Sequence, residues 1–260
     1  MIYFIRPIIQ FFTDFRDSHN MLFSGIKTYL KEIVKLKYEY PNYFDIVNLV
    51  NSFPRWQKSL NSKSSPLQDE QPWITFSAID FLERNITKDM VVYEYGVGGS
   101  TLFFVKRVKQ LISVEHDNQW FDLVEENIKK KGYMNWKGYL IKPDTFVNHP
   151  NVDPSDPDSY TSEDQEFEGK IFKSYAMSIE SYPNDYFDLV LIDGRARPSC
   201  FKHSLKKIKK NGYLCWDNTE RSYYMNAMTL APLSDFKVFH FPGPTPYTGC
   251  FTKTSIWQRL

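Results

Sequence analysis

Residues 91–101, V-V-Y-E-Y-G-V-G-G-S-T, decide the fold that this chain of 260 residues can adopt. The first five predict a buried strand, and a helix is predicted to begin at Ser100, directly after a turn. The turn is rich in glycine, at Gly96, Gly98 and Gly99. A Cβ at these positions would block both the tight turn and the close approach of a ligand. The stretch therefore predicts a strand–turn–helix unit that binds a ligand against its backbone.

A carboxylate follows the next predicted strand. Residues 111–114 are apolar and lead into Glu115. This acid lies about 20 residues after the turn begins, a distance at which a side chain can reach the paired hydroxyls of a bound ribose. The glycine turn and the acid together predict a site for a nucleoside-containing cofactor.

Composition limits the classes of protein to which the chain can belong. Hydrophobic residues make up 42% and aromatic residues 17%, an ample core for one α/β domain with additions. A net charge of +1 argues against broad electrostatic binding of nucleic acid. The three cysteines lack zinc-type spacing and are expected to be reduced thiols of a cytoplasmic protein. No apolar run has the length of a transmembrane span, and residues 1–12 lack a signal-peptide cleavage site.

Helices and strands are predicted to alternate through most of the chain. The predicted helices cover 73–84, 100–109, 118–131, 170–181 and 199–210, and the predicted strands cover 91–95, 111–115, 139–141, 188–193 and 213–216. Such alternation predicts an α/β fold with a Rossmann-like, doubly wound sheet. Two final strand-like stretches, 236–241 and 254–258, predict a C-terminal antiparallel strand pair.

Two further segments differ in character from this alternating region. Residues 1–70 are predicted to form a helical N-terminal extension and linker, which leaves residues 71–260 as the cofactor-binding domain. The aromatic N-terminal helices are also a candidate surface for homo-oligomer formation. Residues 142–169 are long for a connection and rich in Asp, Glu and Pro. They are predicted either to form a flap over the substrate, with Tyr160 and Phe167 as contacts, or to be a solvated acidic insertion.

Polar side chains follow two later strands, at the edge of the sheet where ligands bind in open α/β folds. Asp193 follows one strand, and Asp217 and Asn218 follow the next. Their oxygen atoms are of the type that Mg²⁺ prefers, which makes these three residues a candidate metal site. Arg195 and Arg197 are poor bases but suit the binding of an acidic or phosphorylated substrate.

Candidate groups for proton transfer are found in the same region. His203 lies in the predicted helix 199–210, and histidine is the usual base near neutral pH. Asp193 and Asp217 are further catalytic candidates. Trp216 precedes Asp217 and is a candidate wall of the substrate pocket.

The ordered set of glycine turn, strand-end acids and closing strand pair resembles the class I S-adenosylmethionine-dependent methyltransferases. The likeness covers residues 73–260 and leaves out the N-terminal part. It implies that the glycine turn cradles the methionine portion of the cofactor and that the acid after the second strand holds the ribose. The residues that the resemblance places around S-adenosylmethionine are Glu94, Tyr95, Gly96, Gly98, Ser100, Glu115, His116 and Asp193.

The Asp…Asp-Asn set further resembles the metal site of catechol-type O-methyltransferases, in which the metal holds two substrate oxygens. That family has a lysine three residues after its first Asp, where this chain has Ala196. Two interpretations stay open. Either Mg²⁺ assists the reaction, or Asp193 and Asp217 cap turns and orient Arg195 or Arg197.

Methyl transfer to an oxygen of a small-molecule or sugar-like acceptor is the expected function, with no nucleic acid as partner. A dinucleotide-binding dehydrogenase also uses a glycine turn and a ribose-binding acid, but Thr101 stands where its fingerprint has a third glycine. The pattern also allows an aminopropyl transferase on the same fold, or a non-catalytic module that keeps the cofactor pocket.

Overall fold

The computed structural model describes residues 24–145 and 152–260. Predictions that concern residues 1–23 and 146–151 lie outside the described residues. The helices are α1 (24–39), α2 (Ile46–Ser59), α3 (Pro66–Asp69), α4 (Phe76–Asn85), α5 (Gly99–Val105), α6 (Asn118–Lys130), α7 (Lys173–Met177), α8 (Arg197–Ser204) and α9 (Met225–Met228). The strands are β1 (Val91–Tyr95), β2 (Gln110–Glu115), β3 (Trp136–Leu140), β4 (Asp144–Thr145), β5 (Lys170–Ile171), β6 (Phe187–Ile192), β7 (Ile208–Trp216), β8 (Phe236–Pro244) and β9 (Phe251–Arg259).

A seven-stranded sheet forms the centre of the molecule, in the order β3-β2-β1-β6-β7-β9-β8. The first five strands in this order are parallel, and β9 is antiparallel to both β7 and β8. The strand order reverses between β1 and β6, so the sheet is doubly wound. The predicted fold class, including the closing antiparallel pair, is confirmed.

The parallel strands are apolar on both faces because helices cover both. In β6, Leu189 and Leu191 belong to a core on one face, which also contains residues of α4, α5 and α6. Val190 and Ile192 belong to the core on the opposite face, together with residues of α7 and α8. The carboxyl ends of β1 and β6 lie side by side, since the Asp193 N–H donates to the carbonyl oxygen of Tyr95, the last residue of β1, at 3.1 Å. The loops that follow these strands therefore meet at one edge of the sheet.

The predicted helix 170–181 is wrong. The segment consists of β5, α7 and a 3₁₀ turn over Ser178–Ser181. The Ser178 hydroxyl donates to the Tyr175 carbonyl oxygen at 2.5 Å and lies 2.6 Å from the Tyr93 hydroxyl oxygen. Serine side chains that bond to nearby backbone compete with helical hydrogen bonds. Periodicity alone could not reveal this competition.

The predicted boundary between the next helix and strand is also wrong. The helix predicted for 199–210 ends at Ser204, and the strand predicted for 213–216 begins at Ile208. Ile208 pairs with Phe187 across the sheet, and the register shifts between Phe187 and Leu189. The polar residues after Ile208 concealed the early start of this strand.

The described N-terminal helices pack against the C-terminal strand pair. The indole N–H of Trp56 in α2 donates to the Thr248 carbonyl oxygen at 2.9 Å. The N–H of Phe251 in β9 donates to a carboxylate oxygen of Glu32 in α1 at 3.0 Å. The Tyr29 ring lies 5.0 Å from the Phe251 ring, centroid to centroid. Within the described ranges, no helix combines the length and the apolar composition needed to cross a bilayer.

We expect the Trp56→Ala variant to lose about 3–5 kcal/mol in free energy of unfolding, because it empties a fully buried site between α2 and the C-terminal strand pair. The matched control is Val50→Ala in the same helix, whose side chain is 62% exposed and whose removal should change stability by about 0.5 kcal/mol or less. Urea denaturation followed by far-ultraviolet circular dichroism measures both. Equal stability of the two variants would instead favour an N-terminal extension that is independent of residues 71–260.

Candidate functional site

A cavity of about 650 Å³ opens at the carboxyl ends of β1, β2, β6 and β7. This volume is within the range of about 300–1,000 Å³ that is typical of small-molecule sites. The loops after these four strands form its floor, and residues of the C-terminal strand pair and of the segment 152–169 form its sides. The predicted glycine turn and both predicted acid sites thus open onto one space.

The three glycines of the turn have different structural roles. Gly96 has a φ of +90°, which favours glycine, and its backbone lies against Gly194, 3.1 Å from where a Cβ would be. A Cβ on Gly99 would lie 2.2 Å from the Pro66 carbonyl oxygen, so this glycine lets α3 pack on α5. Gly98 is extended and faces the cavity, and a Cβ there would make only an ordinary contact with Trp120, at 3.8 Å. Gly98 is therefore the position where a side chain would reduce the cavity without disturbing the fold.

Glu94 lies behind the glycine turn and does not border the cavity. One of its carboxylate oxygens accepts hydrogen bonds from the hydroxyls of Thr101, at 2.8 Å, and Ser113, at 2.7 Å. The Thr101 hydroxyl oxygen in turn accepts the N–H of Gly98 at 2.9 Å. Burial raises the pKa of Glu94 to about 7, against the lowering effect of these hydroxyls. Glu94 thus supports the turn from below.

Of two more residues predicted to bind the cofactor, one borders the cavity and the other does not. Ser100 borders the cavity at the start of α5. Tyr95 is fully buried, and its hydroxyl donates to the Ala176 carbonyl oxygen at 2.7 Å. Tyr95 therefore contributes packing beneath the site, with its side chain outside the cavity.

Glu115 borders the cavity and connects the glycine turn to α6. One carboxylate oxygen accepts the N–H of Val97 at 3.0 Å, and the second accepts those of His116 and Asp117 at 2.6 and 2.9 Å. Burial by itself raises the pKa of Glu115, but these hydrogen bonds and the His116 side chain outweigh it, so the net pKa is lowered. A carboxylate that stays ionised is a suitable acceptor for ligand hydroxyls.

Aromatic rings surround the cavity beside Glu115. The His116 ring lies 5.1 Å from the Phe167 ring and 5.5 Å from the Phe172 ring, between centroids. Phe167 belongs to the predicted flap and borders the cavity, whereas Tyr160 of the same segment lies 3.1 Å from a ring nitrogen of His203. The described part of the flap thus covers one side of the site.

Arg195 holds this covering segment in place. Its guanidinium forms an ion pair with Asp164 and lies 4.7 Å from the centre of the Phe167 ring. Both partners come from the flap segment. Arg195 borders the cavity, as predicted, but its charge is directed towards the flap.

Arg197 uses all five of its N–H donors within the protein. The Nε donates to the Gly194 carbonyl oxygen at 3.0 Å. One terminal nitrogen donates to the Asp217 carbonyl oxygen and to Asn218 Oδ1, at 2.9 and 3.2 Å. The second terminal nitrogen donates to the carbonyl oxygen and Oδ1 of Asp193, at 3.0 and 2.8 Å. Arg197 therefore joins the loops after β6 and β7 and has no donor left for a substrate.

The predicted magnesium ligands do not form a free set of oxygen atoms. Asp193 and Asn218 each accept a hydrogen bond from Arg197, and Asp217 Oδ1 accepts one from the Thr254 hydroxyl at 2.7 Å. A guanidinium among these side chains repels a divalent cation. Among residues 24–145 and 152–260, no three His, Cys, Asp or Glu side chains are grouped so as to hold a metal ion. The site does not fit Mg²⁺, and the contacts support the structural interpretation of the two aspartates.

Asp217 is a buried carboxylate at the cavity wall. Burial, together with the neighbouring Asp193 carboxylate, raises its pKa to about 8 against the opposing effect of Arg197. Burial raises the pKa of Asp193 as well, again opposed by Arg197. Two carboxylates beside one guanidinium cannot both ionise easily, which leaves Asp217 with an affinity for a proton near neutral pH.

Two of the predicted site residues lie outside the cavity wall. His203 lies close to Tyr160 and, at 2.9 Å, to a carboxylate oxygen of Glu180. Trp216 is fully buried between the rings of Phe201 and Tyr224. His203 therefore lies outside the cavity, and Trp216 packs in the core.

Sequence reasoning missed several residues that border the cavity. Trp120 extends over the glycine turn, where its indole N–H donates to the Val97 carbonyl oxygen at 2.5 Å. Thr245 and Thr252 contribute hydroxyls from the C-terminal strand pair, 2.6 Å apart. The signal for Trp120 was its place in the first turn of α6, outside the apolar stripe of that helix. No local signal identified the threonines, because β8 and β9 reach the site only through the sheet.

Solved structures share this architecture. A putative O-methyltransferase from Klebsiella pneumoniae matches with a TM-score of 0.50 and 14% identity, over 88% of this chain and 96% of that one. A putative rRNA-methylase from Clostridium thermocellum matches with a TM-score of 0.50 and 7% identity, over 71% of this chain and 94% of that one. No protein-family model matches the chain, and no curated protein does. The chain therefore has the fold of the class I S-adenosylmethionine-dependent methyltransferases, as its sequence predicts.

We expect the Gly98→Ala variant to bind S-adenosylmethionine about tenfold or more weakly, because the added methyl group enters the cavity while its protein contacts stay ordinary. The matched control is Gly249→Ala, which also makes only an ordinary contact, at 3.7 Å, and does not border the cavity. Calorimetric titration gives the two affinities, and thermal melting checks that both variants fold. Equal affinities would show that the cofactor does not approach Gly98.

We expect the Arg197→Lys variant to lose about 3–5 kcal/mol in free energy of unfolding, because lysine has three N–H donors in place of five and leaves buried oxygen acceptors without a partner. Arg195→Lys is the matched control and should lose about 1 kcal/mol or less, since its ion pair is more exposed. Urea denaturation measures both. If Arg197 bound substrate instead, its replacement would leave stability unchanged.

Proposed function

We propose that the protein is an S-adenosylmethionine-dependent methyltransferase that methylates an oxygen of a small-molecule or sugar-like acceptor without a divalent metal. One observation carries the proposal. A single cavity joins the glycine turn and the ionised Glu115 to the buried carboxylate of Asp217.

The Glu115 side of the cavity fits the cofactor. Gly98 offers open backbone, and Glu115 offers a carboxylate for the ribose hydroxyls. His116 and Phe167 supply aromatic surface beside this carboxylate, suitable for an adenine ring. When bound, S-adenosylmethionine supplies a methyl group carried on a positively charged sulfur, and the carboxylate of Asp193 at the cavity wall complements that charge.

The Asp217 side of the cavity fits proton removal. When a hydroxyl is methylated, its O–H bond breaks as the new O–C bond forms, and one proton must leave. Asp217, with a pKa of about 8, accepts this proton more readily than an ordinary carboxylate would. The Thr254 hydroxyl, bonded to one oxygen of Asp217, keeps the side chain in position.

The size of the cavity supports a small acceptor, and the net charge of +1 gives no general attraction for nucleic acid. Because a putative rRNA-methylase shares the fold, RNA belongs in the acceptor screen beside hydroxylated small molecules. A cytoplasmic location and homo-oligomer formation stay predictions. Leu30 and Val34, exposed on the outer face of α1, support the second of these.

We expect kcat/KM to rise about tenfold per pH unit below pH 8 and then to level off, because only the ionised form of Asp217 accepts the proton. Asp217→Asn should lower kcat about 100-fold or more and remove this dependence. Release of S-adenosylhomocysteine, measured with an acceptor found by screening, gives the profiles. His203→Gln is the control and should keep the wild-type profile. A pH dependence that survives in Asp217→Asn but disappears in His203→Gln would identify His203 as the base.

A further inference from the structure

A second, smaller cavity of about 40 Å³ lies beside the first and shares Gly194, Arg195 and Arg197 with it. Its wall also contains the guanidinium of Arg221 and the side chains of Tyr223 and Tyr224, which follow β7. Residues 161–164 of the flap close the opposite side. Three arginines thus meet next to the place where the acceptor is expected to bind.

Two of these arginines already have a carboxylate partner. All five N–H donors of Arg197 form hydrogen bonds with the loops after β6 and β7. Arg195 is paired with Asp164 of the flap. Arg197 therefore has no donor left for a ligand, and the charge of Arg195 is already balanced by a carboxylate.

Arg221 differs from both. Its guanidinium is half-buried and contacts only neutral oxygens, all at long distances. These are the hydroxyl oxygens of Tyr223 and Tyr224 at 3.2 and 3.5 Å, and Asn218 Oδ1 at 3.3 Å. Within the part of the chain that the structure describes, no carboxylate lies within 4.0 Å of it. Asp193 acts on this guanidinium only at longer range. A partly desolvated guanidinium without a carboxylate in direct contact is poorly compensated, and a bound oxyanion would supply that contact.

We propose that Arg221 and Tyr223 form a subsite for an oxyanion of the acceptor, a carboxylate or a phosphate. The inference rests on the proposed function and deepens it, since it makes the acceptor a hydroxylated acid or phosphate ester in place of a neutral sugar. The Tyr223 hydroxyl, which now donates to Tyr224, is the second donor for the oxyanion.

Two acidic side chains, those of Glu163 and Asp164, also line this second cavity. Asp164 is neutralised by Arg195, and Glu163 lies exposed at the rim. The ion pair of Asp164 shows that a carboxylate is accommodated beside the arginines. Arg221 also bonds to Asn218, the residue after Asp217. An acceptor anchored at Arg221 would therefore lie next to the proposed base.

The test titrates inorganic phosphate, and separately acetate, into protein saturated with S-adenosylhomocysteine, at constant ionic strength in chloride buffer. We expect saturable one-to-one binding of at least one of these ions, with the stronger ion identifying the chemistry of the acceptor. Arg221→Gln should weaken this binding at least tenfold and leave the affinity for S-adenosylhomocysteine unchanged. The matched control is Arg84→Gln, which removes an exposed arginine of α4 and should keep wild-type binding.

Tyr223→Phe gives a second test that keeps the ring in place and applies even if Arg221→Gln fails to fold. It should weaken oxyanion binding several-fold. The subsite is overturned if wild-type protein binds neither ion, or if the Arg221 and Tyr223 variants bind them as wild-type protein does. The affinity for S-adenosylhomocysteine is measured separately from that for the ions. If S-adenosylhomocysteine itself fails to bind, that result would contradict the proposed function instead.

Discussion

The guanidinium of Arg197 joins the loops that follow β6 and β7, and the geometry of the site depends on it. A buried cation is stable only where its donors are all paired and its charge is balanced. Asp193 and Asp217 lie beside the charge, and they accept the N–H donors together with Gly194 and Asn218. Ala196 turns the chain at this point with a φ of +46°, a conformation that is unfavourable for a residue with a side chain. The bonds of Arg197 offset that strain and fix the start of α8.

Two carboxylates that border the same cavity have pKa values shifted in opposite directions. Glu115 accepts three backbone N–H groups and keeps a lowered pKa, so it stays ionised as an acceptor for hydroxyls. Asp217 is buried beside the Asp193 carboxylate, and these two effects raise its pKa to about 8 against the opposing effect of Arg197. When the environments of two titratable groups in one site move their pKa values apart, the two groups commonly have different roles in the reaction. In the proposed function, Glu115 therefore binds the cofactor and Asp217 accepts the proton, although the guanidinium of Arg197 opposes part of the rise in the Asp217 pKa.

Local patterns were sufficient to predict much of this molecule. The strand β1, the glycine turn and the positions of Glu115 and Asp193 follow from periodicity and from the ends of strands, which are properties of short stretches. The partners of Arg197 were not predictable in this way, because Asp217 lies 20 residues further along the chain and meets Arg197 only through the parallel pairing of β6 and β7. The packing of α3 on Gly99 depends on tertiary contacts in the same way.

In the proposed function, one cavity holds the methyl donor without a metal. A calorimetric titration of the wild-type protein with S-adenosylmethionine, performed once with Mg²⁺ and once with excess EDTA, measures this binding. We expect one-to-one binding in the micromolar range, with the same affinity in both titrations. The absence of binding, or binding that requires Mg²⁺, would contradict it.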